Sequence, residues 1–163
     1  MKRFCIYFAA LSIAMQAFPV LSFAYDAYDT EFTKPDYIAN LRIQAEKGDP
    51  EAQYDLAEAY LKGEGVVQSE KEAAKWYYRS AMQDYPDAQI AMGFVYRGGG
   101  GIPMDKVQSY MWLDLATKNG DDRALWMRNE LAWSMTLHEI EEARKKSDEW
   151  KPQPPPKQYG ESE

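Results

Sequence analysis

Tyr54, Ile90 and Trp126 stand at intervals of 36 residues, and so do Glu58, Phe94 and Glu130, and Asp55, Ala91 and Met127. Aromatic and branched apolar side chains interleaved with carboxylates make a recognition chemistry. The apolar groups exclude water from a partner's side chains, and acids at their edges select for basic ones. Such a strip suits an extended or helical peptide with basic flanks. Tyr54, Asp55, Glu58, Ile90, Phe94 and Trp126 are therefore the candidate binding residues, with Glu58 and Phe94 the pair expected to be most exposed. The competing expectation is that Tyr54, Ile90 and Trp126 pack between neighbouring elements and leave no open surface.

Bond-making chemistry has less to stand on. His138 is the sole histidine and has no second histidine or cysteine near it for a metal site, so an exposed or locally bonded imidazole is expected. Gly98 to Gly101 matches a phosphate cradle only in composition, because no Gly-Lys-Ser/Thr follows. No carboxylate pair stands out for glycosidic cleavage. The Ser-x-x-Lys, Ser-Asp-Asn and Lys-Thr-Gly sets of β-lactam-active serine enzymes are missing. The sequence is thus read as non-enzymatic, with no catalytic residue, no metal and no cofactor.

The elements that position the candidate residues form a repeat. Ala52, Gln53, Tyr60, Gly63, Gly65 and Trp76 recur 36 residues later as Ala88, Gln89, Tyr96, Gly99, Gly101 and Trp112. A fixed period in this range signals stacked supersecondary units. Asp49-Pro50-Glu51 opens the first unit with a capping residue, a proline at the first helical position and an acid at the positive helix end. Ala52, Leu56, Ala57 and Tyr60 follow at helical spacing, and Gly63 to Val66 breaks the helix. Ser69 with Glu72 reads as a capping box for a second helix running to about Gln83. The second unit repeats the scheme, with Pro86 at its start, a turn at Gly98 to Gly101 and Asp105 with Gln108 as the cap. Gly48, Asp84 and Gly120 share one phase, which predicts a left-handed residue after each second helix. The phase of Trp76 and Trp112 makes them core residues that lock helix pairs together, rather than a cofactor or glycan platform.

The flanks are fragments of the same unit. Thr33 caps a lone second helix from about Pro35, carrying Leu41 and Ala45. A degenerate pair follows Asp121, with Thr136 and Glu139 capping a last helix from about Leu137 to Trp150. The expected fold is all-α, an α-solenoid of antiparallel helix pairs with about seven helices. Its solenoid spans 35–150, with full units at about 49–84 and 85–120 and the degenerate pair at 121–150.

Before this region, Lys2 and Arg3 precede an apolar run from Phe4 to Phe23 that exits at Ser22-Phe23-Ala24, the pattern of a secretory signal peptide cleaved after Ala24. The expected location is periplasmic or secreted, with no membrane span after cleavage. Tyr25 to Lys34 is expected to be flexible. Lys151 to Glu163 holds four prolines and reads as a disordered tail. The one cysteine, Cys5, leaves with the leader. Without Lys2 and Arg3, 17 basic residues face 26 acidic ones. A net charge of that sign repels phosphate backbones and argues against a nucleic-acid partner.

The set Ala52-Gln53, Leu56-Ala57, Tyr60, Gly63-x-Gly65-Val66, Ala73 and Trp76, with its copy 36 residues on, resembles the Sel-1-like repeat, a relative of the tetratricopeptide repeat. Met135-Thr136, Ile140, Ala143 and Trp150 are similar to the terminal segment of such proteins. The resemblance implies a right-handed superhelix of helix pairs whose first helices line a concave side. It also implies an adaptor that binds other proteins, often outside the bacterial cytoplasm. Two positions depart from the family's pattern: Gly100-Gly101-Ile102-Pro103 replaces a valine-rich turn, and Ser69 stands where aspartate is usual. An envelope component acting on a membrane sensor or on peptidoglycan is the alternative. A weak β-lactam-binding role is a further one, drawn from cysteine-rich relatives whose disulfides this chain lacks. The exposed ends of so short a stack also leave homo-oligomerisation open.

Overall fold

The computed structural model describes residues 34–154. The leader, the Thr33 cap, the segment before it and the last nine residues of the tail lie outside that range. The chain divides into two compact units, Met1–Tyr37 and Ile38–Glu163, and the packing described here is that of the second. Among the described residues there are seven α-helices and no strand. They are α1 (Lys34–Glu46), α2 (Pro50–Lys62), α3 (Glu70–Ala81), α4 (Pro86–Phe94), α5 (Lys106–Lys118), α6 (Asp122–Ala132) and α7 (Leu137–Glu149).

Local chemistry sets the boundaries. Asp49 Oδ1 accepts from the Ala52 N–H at 2.9 Å to start α2, and Gly63 ends it at φ 75°. Asp105 starts α5 in the same way through the Gln108 N–H. At α3 only half of the expected capping box forms. Ser69 Oγ accepts from the Glu72 N–H, but the Glu72 carboxylate turns to Lys75 at 2.6 Å. The complete box is at α7, where Thr136 and Glu139 each bond the other's backbone N–H. Helix α3 stops at Ala81, two residues short of Gln83, because the chain must already bend for the left-handed Asp84. Gly48, Asp84 and Gly120 take φ of 98°, 67° and 90°, so the shared phase is a shared backbone state.

The break at the glycines has its own geometry. Past Phe94 the chain continues as a π-helical turn over Val95–Gly99, inside which Gly98 leaves helical backbone at φ 114°. This turn folds back onto the helix it leaves. A Cβ on Gly99 would stand 2.2 Å from Cε1 of Phe94, a separation no side chain could hold.

Three apolar clusters join the helices. Ile38, Leu41 and Ala45 of α1 meet Ala52, Leu56 and Ala59 of α2, so the half-unit covers the first repeat as expected. Ala57, Tyr77, Ala81, Ala88, Met92 and Trp112 join the two repeats, the alanines letting helices approach closely. In the third cluster Tyr110, Leu113 and Ala116 of α5 meet Ala124 and Leu131 of α6 and Ala143 of α7. The last two helices each lean on α5 rather than closing on one another as a full pair would. The two repeated tryptophans are not equivalent. Trp112 is buried at 2% exposure, whereas Trp76 is only partly buried beneath the Arg79 guanidinium, 4.5 Å from its ring centroid.

Buried amides tie the repeats together with polar groups. Gln83 Nε2 donates to Gln53 Oε1 at 2.8 Å, and 36 residues on Asn119 Nδ2 donates to Gln89 Oε1 at 3.2 Å. Gln53 donates in turn to the Ala45 carbonyl, and Gln89 to Asp84 Oδ1. The Ala-Gln pair of each repeat is thus a packing residue beside a satisfied polar one, as buried amides require.

The C-terminal segment departs from a free tail at its start. Trp150 stands edge-on to Trp112 with centroids 6.3 Å apart, and the Gln153 N–H donates to the Met82 carbonyl at 2.7 Å. Residues up to Pro154 therefore run back over the end of α3, and the tail reading does not apply to Lys151–Pro154.

Candidate functional site: a groove along the first helices

The first helices of successive units, α2, α4 and α6, line a groove of about 260 Å³ together with one face of α3. Its floor is apolar, made by Leu61, Ala73, Tyr77, Ile90, Ala91 and Met127. Tyr54 forms one wall, with its ring 5.6 Å from those of both Tyr77 and Tyr85. Phe94 stands on the rim at 55% exposure, over the glycine turn that closes that end. A Cβ at Gly99 would push the exposed Phe94 ring aside, so the turn read from sequence as a scaffold break also sets where that ring stands on the groove.

Four of the six candidate residues come together here: Tyr54, Glu58, Ile90 and Phe94. Tyr54 and Ile90 are half-buried, so they pack between repeats and still show a face to the groove. The other two candidates do not line it. Trp126 is 66% exposed away from the groove, and its neighbour Met127 takes the groove position in α6. Likewise Ala91 lines the groove while Asp55, at the same repeat phase, does not. In α4 and α6 the same two phases face the groove, Asp87 and Ala91 in one and Arg123 and Met127 in the other, whereas α2 contributes Tyr54 and Glu58.

Sequence reading missed Tyr77, Asp87, Glu70 and Arg123. Tyr77 lies on a second helix, whereas the candidates were drawn from first helices alone. Its hydroxyl donates to Glu58 Oε1, which also pairs with Lys62 at 2.6 Å through Oε2. Burial opposes ionisation of Glu58, but the hydrogen bonds from Lys62 and Tyr77 outweigh it and hold the carboxyl below its ordinary value. Asp87 pairs with Arg123 at 2.5 Å, and Arg123 also reaches Asp121. Asp87 and Arg123 are 36 residues apart, a signal the sequence did contain.

The electrostatics are negative. Three carboxylates line the groove, Glu58, Glu70 and Asp87, against one guanidinium, Arg123. Burial, with Glu58 and Asp87 nearby, pushes the Tyr54 phenol up to about 12. Asp55 is raised as well, by burial and then by Glu51 and Glu58. His138 is exposed, and among the described residues no group of histidine, cysteine and acid side chains could hold a metal ion.

The Sel1 repeat model matches residues 50–85 and 86–121, which hold all of the groove's lining except Arg123 and Met127. The chain carries two Sel1 repeats. Its Sel1 fold resembles that of a protective antigen of uropathogenic Escherichia coli strains described as displaying an SLR fold. That likeness has a TM-score of 0.68 at 29% identity, over 77% of this chain and 28% of the other. A Sel1 repeat protein from Oxalobacter formigenes is similar at TM-score 0.52 and 37% identity, over 53% of this chain and 66% of that one. Among curated proteins, a chitin synthase regulator of Malassezia restricta is 35% identical over 92 residues, and one of Saccharomyces cerevisiae is 34% identical over 81. These alignments take in 55% and 48% of this chain but only 6% and 12% of those regulators. Sel1 repeat proteins are generally protein-interaction adaptors.

Proposed function

We propose that the chain is a non-enzymatic adaptor that binds a segment of another protein in the groove of α2, α4 and α6. The observation that carries this reading is the pairing of an apolar floor with an acidic rim in one open groove. A helical or extended segment with apolar side chains toward Tyr77 and Ile90 would bring its basic flanks to Glu58, Glu70 and Asp87. Phe94 is the anchor, because an exposed aromatic ring at a groove edge gains most by being covered. The fungal relatives are named as regulators of an enzyme, which is in keeping with action by binding. Their aligned share is small, so that likeness bears on the repeats. The basic start, the apolar run and the Ser22-Phe23-Ala24 exit support action outside the cytoplasm, in the periplasm or after secretion.

Replacing Phe94 with a photo-crosslinking phenylalanine analogue in cells tests this. The expected result is one discrete cross-linked protein from the envelope or medium, absent when the analogue stands at His138 instead. Equal cross-linking from both positions, or none from Phe94, contradicts it.

A further inference from the structure

The other side of α3 carries a groove of opposite character. Ala73 and Tyr77 face the acidic groove, while Ala74 and Tyr78, one step and about 100° further round the helix, face a second groove of about 440 Å³. Met92 and Tyr96 of α4, with Ile102 of the following turn, complete its apolar lining. Lys71, Lys75 and Arg79, each four residues apart on α3, form its polar edge, and no carboxylate lines it. In a chain with 26 acidic residues against 19 basic ones, a groove with cations alone is a local inversion of the whole surface. Lys75 is engaged by Glu72, but among the described residues neither Lys71 nor Arg79 has an ion-pair partner. Arg79 is held over the Trp76 ring, which keeps its guanidinium oriented at the groove's edge. Tyr78 lies in the groove at 45% exposure, braced edge-on against Trp112 at 6.0 Å.

We propose that this groove is a second docking site, for an acidic segment with aromatic side chains from a partner protein. The aromatic groups fill the space between Tyr78, Tyr96 and Ile102, and the acids meet Lys71 and Arg79. The site is independent of the acidic groove and selects the opposite charge, so the chain could hold two dissimilar segments on the two faces of α3.

The test is fluorescence anisotropy of the full chain with a short labelled peptide alternating glutamate and tyrosine. Binding is expected to weaken by at least about tenfold in Lys71→Glu with Arg79→Glu, and to weaken with added salt. Phe94→Ala, in the other groove, should leave it unchanged. Because Lys71 and Arg79 are exposed, melting of the double variant should stay near wild type, so lost binding reports the site rather than the fold. Three results would overturn the proposal. They are equal affinity in the double variant, equal binding of a lysine–tyrosine counterpart, and a chain ending at Pro154 that binds the peptide about tenfold tighter or more. The last would assign the groove to the chain's own terminal residues.

Discussion

The Tyr77 hydroxyl donates to the Glu58 carboxylate, joining the second helix of the first repeat to its first helix beneath the groove. Both residues also line the groove, so a scaffold contact sets the position and charge of a rim acid. Glu58's folded-state pKa is depressed. Its contribution to stability is therefore present above the ordinary glutamate value and is lost as pH falls through the folded one. Tyr77→Phe should cost about 0.5–1.5 kcal/mol and move the Glu58 titration upward. Carboxyl-resolved NMR across pH 2–6 checks this, and an unmoved Glu58 would show that Lys62 alone holds its charge.

The two repeated tryptophans should differ sharply when truncated. Trp112→Ala removes a buried ring packed on Tyr78 and Trp150 and should cost about 3–5 kcal/mol. That is a large part of a typical stability of about 5–15 kcal/mol. Trp76→Ala should cost clearly less, since that ring is partly solvated and covered on one side by the exposed Arg79 side chain. Urea denaturation of both variants gives the ordering, and equal losses would contradict it.

Asp84 carries two opposed effects. Its φ of 67° is unfavourable for a side-chain-bearing residue by about 1–2 kcal/mol, yet its Oδ1 accepts from both Gln89 and Asn119. Asp84→Gly removes the strain along with the bonds, whereas Asp84→Ala keeps the strain and leaves the buried Gln89 amide short of a partner. The alanine variant should therefore be the less stable of the two by roughly 1 kcal/mol.

Acid should act on the last repeat through Asp114. Burial opposes its ionisation, but bonds from Ser147, Lys118 and Arg128 hold its carboxyl below the usual value. The folded value lies below the unfolded one. The contribution is thus complete above about pH 4 and disappears as pH falls through the folded value. Asp114→Asn should cost about 3 kcal/mol at pH 7, and the gap from wild type should narrow toward pH 2. A gap that stayed constant over that range would mean the loss is one of packing rather than charge.

Features fixed by local or periodic chemistry were legible in the sequence. The caps at Asp49, Asp105 and Thr136, the left-handed phase of Gly48, Asp84 and Gly120, and the core alanines all follow from spacing within one unit. What periodicity could not carry was which of two neighbouring positions on a helix meets the groove. Trp126 shares a phase with Tyr54 and Ile90 but stands exposed, while Met127, at the phase of Ala91, lines the groove. Tyr77 was hidden because one side chain serves the core with its ring and the groove with its hydroxyl. The π-helical turn sets Phe94 against Gly99 five residues on, a local fit that the glycine run marked as a break without giving its geometry. Gln153 escaped because its bond to Met82 uses only backbone atoms, which no side-chain pattern records.

The groove's role is tested most directly by titrating isotope-labelled chain with a short amphipathic peptide of leucine and lysine and following backbone amide shifts. The account predicts saturable shifts concentrated at Tyr54, Ile90, Phe94 and Gly99, and their loss or marked weakening in Phe94→Ala. Shifts spread over the acidic surface without saturation, or unchanged in Phe94→Ala, would contradict it.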